Sequence, residues 1–251
     1  MMDPRAFIGL PDWRSALLAA LFALPWLVLL GRGTLRRWPL WLAVAGGVLL
    51  FPFSIAWVQA PIQQGLNLLW LRLLDVAAIQ QWLLAVAVPS IAVSGLVQES
   101  AKLLVAVGAL ALLGKREPRA GLALGAAAGA GYGGIEAFWV LNQVFASGFT
   151  WGTVQLYGLG ALLGFVERFF AVPFHIGSAA LAGYGLATGR PWRFLLLAIG
   201  LHAAVNYTIV LMQAGLIGAL AIEVIAALIA AATIATALWL RRRAAPVAVE
   251  H

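Results

Sequence analysis

Eight ionisable side chains interrupt the long apolar stretches of this 251-residue sequence: Glu99, Lys102, Glu136, Glu167, Arg168, His175, His202 and Glu223. A charge at membrane depth costs about 3 kcal/mol on insertion scales, so such residues are functional-site candidates by default. Two imidazoles and a carboxylate make a three-ligand set with a fourth position left for water, the pattern of a catalytic zinc centre. Glu136, His175 and His202 supply that set for a divalent metal, with zinc as the first choice. Glu99 could act as general base on the bound water. Asn206 could donate to a developing oxyanion, and Lys102 could hold Glu99 ionised or orient it. The same residues also have plainer uses. Glu99 with Lys102 is an ion pair that makes burial tolerable, Glu167 and Arg168 read as structural, and a histidine in a span is often an interhelical contact.

Spacing supports convergence. Glu99 and Lys102 stand three apart and His202 and Asn206 four apart, so each pair shares a helix face. Arg168 and His175, seven apart, fall on nearly one stripe. Glu136 and His202 each lie 11 residues from the next loop, roughly 16 Å inward at the helical rise. Polar groups from four separate spans can therefore meet in one buried cluster.

The elements that would position them are membrane helices. The chain is 63% hydrophobic and 10% charged, against about 25% charged in soluble domains. Continuous apolar runs point to an all-α, polytopic transmembrane helical bundle forming one integral membrane domain over 1–251. Spans are expected over 15–30, 38–58, within 82–113, over 120–146, from about 164 to 187, over 194–212 and over 215–240. Pro25 should kink the first, which reads as a retained helix and not a cleaved signal. Residues 61–81 mix glutamines with Leu and Trp at helical spacing and read as an amphipathic interfacial helix. The 82–113 stretch is too long for one upright span. It is either a tilted helix kinked at Pro89 or a re-entrant turn followed by a helix. Glu223 falls near an outer helix end and is expected to be solvated. The C-terminal tail is expected to be disordered.

Basic residues cluster at 32–37, 115–119, 190–193 and 241–243, while the intervening loops carry few. This alternation gives about seven spans in a cell (inner) membrane, with the N-terminus outside and the C-terminus cytoplasmic. The net charge of +7 is thereby absorbed by topology and is not a nucleic-acid signal. The absence of cysteine excludes disulfides, thiolate ligands and a cysteine nucleophile.

Four patches in order, Gln98-Glu99-x-x-Lys102, Gly131-Tyr132-Gly133-Gly134-Ile135-Glu136-Ala137, Glu167-Arg168 with His175-Ile176, and His202-x-x-x-Asn206, carry a resemblance. Together, over about residues 90–210, they resemble the YhfC family of intramembrane metalloproteases, grouped with the PrsW and CAAX-prenyl (Abi) proteases. The resemblance implies a helical fold with a metal-activated water attacking a peptide bond inside the membrane. It assigns Glu99 to the paired-glutamate motif, Glu136 to the second, His175 to the third and His202 with Asn206 to the fourth. Three positions depart from the pattern. Gln98 replaces the first glutamate, which related CAAX proteases use as base. Tyr132 stands where a histidine is common, and Asn206 where an aspartate is. The implied partners are the lipid bilayer and a membrane-embedded or membrane-associated protein or peptide substrate. Two other classes use the same residues: a non-catalytic relative that binds a membrane protein or lipid, and a proton-coupled or small-solute transporter.

Overall fold

The computed structural model describes residues 7, 11–114 and 116–244. Lys115 and the tail beyond Ala244, read above as a basic-loop residue and a disordered terminus, lie outside the described residues. The described chain is a bundle of helices without strands. Seven are long: α1 (Trp13–Gly31), α2 (Trp38–Ser54), α6 (Val88–Leu113), α7 (Pro118–Ala146), α9 (Leu163–Ala187), α10 (Pro191–Gln213) and α11 (Ala219–Arg243). Shorter pieces lie between them: α3 (Ala60–Leu73), α4 (Val76–Gln81), α5 (Leu83–Val86) and α8 (Trp151–Tyr157).

Six segments are long and apolar enough to cross a membrane: Trp13–Gly31, Trp38–Leu73, Leu83–Leu113, Leu159–Ala187, Pro191–Gln213 and Ala219–Arg243. Helix α7 is not among them, although it is 29 residues long. Its glycines, Tyr132 and Glu136 dilute its hydropathy. It packs against α1, α2, α6 and α9, and most of its residues from Ala120 to Gly133 are buried. A helix wrapped in protein does not need a lipid-compatible surface.

Local chemistry sets the ends. Pro39, Pro89, Pro118 and Pro191 stand in first turns, where a missing N–H costs nothing. Pro89 therefore starts α6 and does not kink it. The 61–81 stretch is not one helix. A π-helical turn at Ile55–Gln59 carries α2 directly into α3, and Asp75 then caps a separate α4 by accepting from the Ala78 N–H. Neither α3 nor α4 has a buried residue. Glu223 corrects the sequence expectation: it is 8% exposed, in the second turn of α11, and its Oε2 has no hydrogen-bond partner among the described residues.

The basic segments share one end of the bundle. Arg119 Nε donates to the Arg241 carbonyl at 2.9 Å, and the Arg241 guanidinium donates to the carbonyls of Leu30 and Arg32. At the opposite end the Asp12 N–H donates to Asn142 Oδ1 at 2.8 Å and Tyr207 Oη donates to the Leu84 carbonyl at 2.8 Å. There Asp12, outside the spans, is held below the ordinary aspartate range, chiefly by the hydrogen bond from Arg14.

The centre is a seam of small residues. Gly121, Gly125, Gly129 and Gly133 recur every four positions, on one face of α7. A Cβ at Gly125 would lie 2.1 Å from the Ala179 carbonyl oxygen, and one at Gly129 would lie 2.3 Å from that of His175. The backbones of α7 and α9 thus touch, and His175 is carried against the Gly129–Gly133 stretch. On another face, a Cβ at Gly131 would lie 1.9 Å from the Val44 carbonyl of α2. Gly134, by contrast, faces open space. Replacing Gly125 with Val forces two backbones apart and is expected to destabilise the fold by about 1–3 kcal/mol or more. The comparison is Gly134→Ala, which should leave the thermal midpoint in detergent unchanged.

Candidate active site

Helix α6 presents Gln98, Glu99 and Lys102, all buried, with Glu99 and Lys102 at 0% exposure. Lys102 Nζ donates to Glu99 Oε1 at 2.7 Å and to Ser178 Oγ at 3.3 Å, and lies 3.0 Å from His175 Nδ1. An ammonium has three donors and no acceptor. His175 Nδ1 must therefore be the unprotonated nitrogen, which puts the ring proton on Nε2. That nitrogen lies 2.9 Å from Glu136 Oε2. The N–H is out of line, so Glu136 Oε2 is a buried acceptor without a proper hydrogen bond.

The second imidazole is assigned in the same way. His202 Nδ1 lies 2.7 Å from Glu99 Oε1. An ionised carboxylate only accepts, so Nδ1 carries the proton and Nε2 keeps a lone pair with no partner among the described residues. The two rings meet edge to face at 5.3 Å, and His202 packs on Phe174 at 5.5 Å. Oxygen Oε1 of Glu99 thus takes two strong donors, whereas Oε2 accepts only Ser178 Oγ at 3.2 Å. Oε2 is the oxygen with capacity left.

A second charged group borders the first. Arg168 Nη1 donates to Glu136 Oε1 at 2.9 Å, and the same guanidinium pairs with Glu167. The side chains of Glu136 and Glu167 are 18% and 32% exposed, so the cluster opens on this side. Tyr132 seals another side. Its hydroxyl shares a 2.9 Å hydrogen bond with Ser54, and its ring faces Lys102 Nζ at 5.6 Å, within reach of a cation–π attraction.

The structure therefore brings Glu99, Lys102, His175 and His202 into direct contact and attaches Glu136 and Arg168 through His175. Two expected members stand apart. Gln98 turns to Gln59 of the π-helical turn, with Nε2 donating to Oε1 at 3.1 Å. Asn206 donates to Ser94 Oγ at 2.8 Å. Ser178 is a member that sequence reading missed. Its signal was the three-residue step from His175, which puts both on one face of α9.

The chain matches no protein-family model, no curated protein and no solved structure. The site is read from its own chemistry. For a metal, the donor atoms within 4.8 Å of one another belong to Glu99, His175 and His202. Glu136, expected in that set, contributes its oxygen to the far side of His175. The Lys102 ammonium already sits against the Glu99 and His175 donors. A divalent ion there would face a positive charge at contact distance and would displace it from both. With Lys102 in place, its ammonium takes the position against the Glu99 and His175 donors that such an ion would need.

Lys102 also balances the buried Glu99 charge. Removing one partner of a buried ion pair costs about 3–5 kcal/mol, because the other is left uncompensated. Lys102→Met is expected to lower the unfolding midpoint in detergent sharply, and Lys102→Met combined with Glu99→Gln to recover most of the loss.

Proposed function

We propose that this protein is an intramembrane endopeptidase in which the Glu99 carboxylate, flanked by His202 and Lys102, activates water against a peptide bond at membrane depth. The observation that carries this reading is the environment of Glu99. A fully buried carboxylate holds one oxygen fixed by Nζ of Lys102 and Nδ1 of His202, and its other oxygen accepts only from Ser178 and has capacity left for a proton. The resemblance of the four motif patches to the YhfC, PrsW and CAAX-protease group supports the same reaction class. Gln98 replaces the first glutamate of that pattern, but it faces Gln59, outside the cluster. The second position, Glu99, takes the base role.

The step balances with the residues present. Water gives its proton to Glu99 Oε2 while its oxygen adds to the carbonyl carbon. Negative charge develops on the carbonyl oxygen beside the Lys102 ammonium, where a pre-positioned cation is worth most in a dry site. The proton on Glu99 then passes to the leaving amine as the C–N bond breaks. Lys102 supplies the positive charge that a metal would otherwise bring, and His202 Nδ1–H orients the base. Glu136 and Arg168 position His175.

The substrate class is a membrane-embedded or membrane-associated protein, since the site lies among lipid-facing helices. We further infer, from the alternation of basic loops, an inner-membrane protein with its C-terminus in the cytoplasm. The complete burial of Glu99 and Lys102 favours one rival, a non-catalytic helper that uses the cluster only to fix helix packing.

In nanodiscs supplied with a library of membrane-protein substrates, Glu99→Gln is expected to lower cleavage by about 10²–10⁴-fold, the usual contribution of a positioned base. Gln98→Ala should lower cleavage far less than Glu99→Gln, since its side chain faces Gln59 and touches no reacting atom. Cleavage should persist in strong chelator, and metal analysis should find no stoichiometric ion. Absence of any Glu99-dependent cleavage sinks the proposal and leaves the helper reading. Loss of cleavage on chelation, restored by zinc, sinks the metal-free step.

A further inference from the structure

Helix α6 carries a polar stripe that ends at Lys102 and whose other members the reaction above does not use. Ser90, Ser94, Gln98 and Lys102 recur every four residues and so lie along one face. The stripe begins at the bundle end opposite the arginines. From Ser90 to Glu99 is nine residues, about 13 Å of helix. Its neighbours are polar on both flanks. On one side, Gln63 Nε2 donates to the Ser90 carbonyl at 2.9 Å, Gln59 Nε2 donates to Gln63 Oε1 at 3.4 Å, and Gln98 Nε2 donates to Gln59 Oε1 at 3.1 Å. On the other, Asn206 donates to Ser94 Oγ. Exposure falls along the way. Gln63, Gln59 and Ser90 are half-buried, Gln98 is 6% exposed and Glu99 is 0%.

Apolar side chains would pack this region more cheaply in a membrane. Interhelical hydrogen bonds there add little stability on average. One atom is not satisfied at all: Gln98 Oε1 is buried and has no partner among the described residues. A buried acceptor of this kind is normally met by ordered water. The π-helical turn at Ile55–Gln59 adds to this, since π turns concentrate at functional sites. The wider turn brings Gln59 to the stripe.

We propose that the Ser90–Ser94–Gln98 stripe, with Gln59, Gln63 and Asn206, is a hydrophilic route that conducts water from the bundle end to Glu99. It rests on the hydrolytic reading for its purpose, as the supply of the attacking water, but its existence is measured separately. The glutamines and Asn206 offer both donors and acceptors, so each can hold water while keeping one protein partner. Glu99, at 0% exposure, then receives its co-substrate through the bundle.

The sequence has no cysteine, so single thiols can be introduced without background. Ser94→Cys, which is close to isosteric, and Gln98→Cys are compared in proteoliposomes with lipid-facing Leu96→Cys and apolar-buried Ala101→Cys. The probe is a small charged methanethiosulfonate. Only a thiolate reacts, and apolar burial suppresses ionisation, so route positions should react at least about tenfold faster than both controls. Ser90→Cys should react fastest, Ser94→Cys next and Gln98→Cys slowest. Equal reactivity of Ser94→Cys and Leu96→Cys overturns the route; Ser94→Cys carries this test alone if Gln98→Cys does not fold. Reactive route thiols in a protein without peptidase activity keep the route and reject the hydrolase. Unreactive thiols in an active enzyme do the reverse.

Discussion

The arrangement depends on one buried ion pair. Lys102 and Glu99 are charges from one turn of α6 at zero exposure, 2.7 Å apart. Each would be prohibitive alone, and together they still leave hydrogen-bonding capacity that must be met. That capacity recruits the other helices. Lysine uses its remaining donors on His175 and Ser178 of α9, and glutamate accepts from His202 of α10. His175 then presents its other nitrogen to Glu136 of α7, and Arg168 closes the chain of charges. The tautomer of each histidine follows from what the ion pair requires of it. A cluster that satisfies itself in this way can be fully buried, and one that also leaves an oxygen of Glu99 under-used can do chemistry.

Convergence at this point is possible because α7 is almost without side chains where it matters. The glycine seam brings α9 to backbone contact, so His175 reaches across α7 to the Glu136 carboxylate. A larger residue at Gly129 or Gly133 would push the imidazole outward. The low hydropathy of α7 and the geometry of the site thus have one cause. The helix gives up lipid compatibility for close approach, and its neighbours shield it from lipid.

Much of this was legible in the residues. The long apolar runs marked the helices, the charges within them marked Glu99, Lys102, His175 and His202, and helical spacing paired them. The glycines around Glu136 signalled close packing. What sequence could not supply was rotation and neighbours. Adjacent residues on a helix point about 100° apart, so Gln98 and Glu99 could not both face the cluster, but nothing in the sequence said which did. Charge type alone suggested Glu136 as a ligand and Lys102 as an accessory. Contact geometry puts the lysine at the centre and Glu136 behind a histidine. Glu223 looked solvated from its place near a helix end, yet it is buried on α11, a helix that packs against α9. Ser178 carried only a weak spacing signal.

The seam also decides which parts of the site are held in register. Helices α7 and α9 touch backbone to backbone at Gly121, Gly125 and Gly129, with Gly133 against the His175 side chain, and cannot slide or rotate against each other without collision. Helices α6 and α10 form a second close pair, locked where a Cβ at Gly95 would lie 2.8 Å from the Ile199 carbonyl. Between the two pairs the cluster is joined by side-chain contacts alone, from Lys102 and Glu99 to His175 and Ser178. Glu99 and His202 both ride on the second pair. A shift of α6 against α9 would strip the lysine and carboxylate of their α9 partners, whereas base and orienting imidazole stay joined through the close approach of α6 to α10. The site is built like a jaw whose working tooth and its brace are set in the same bone.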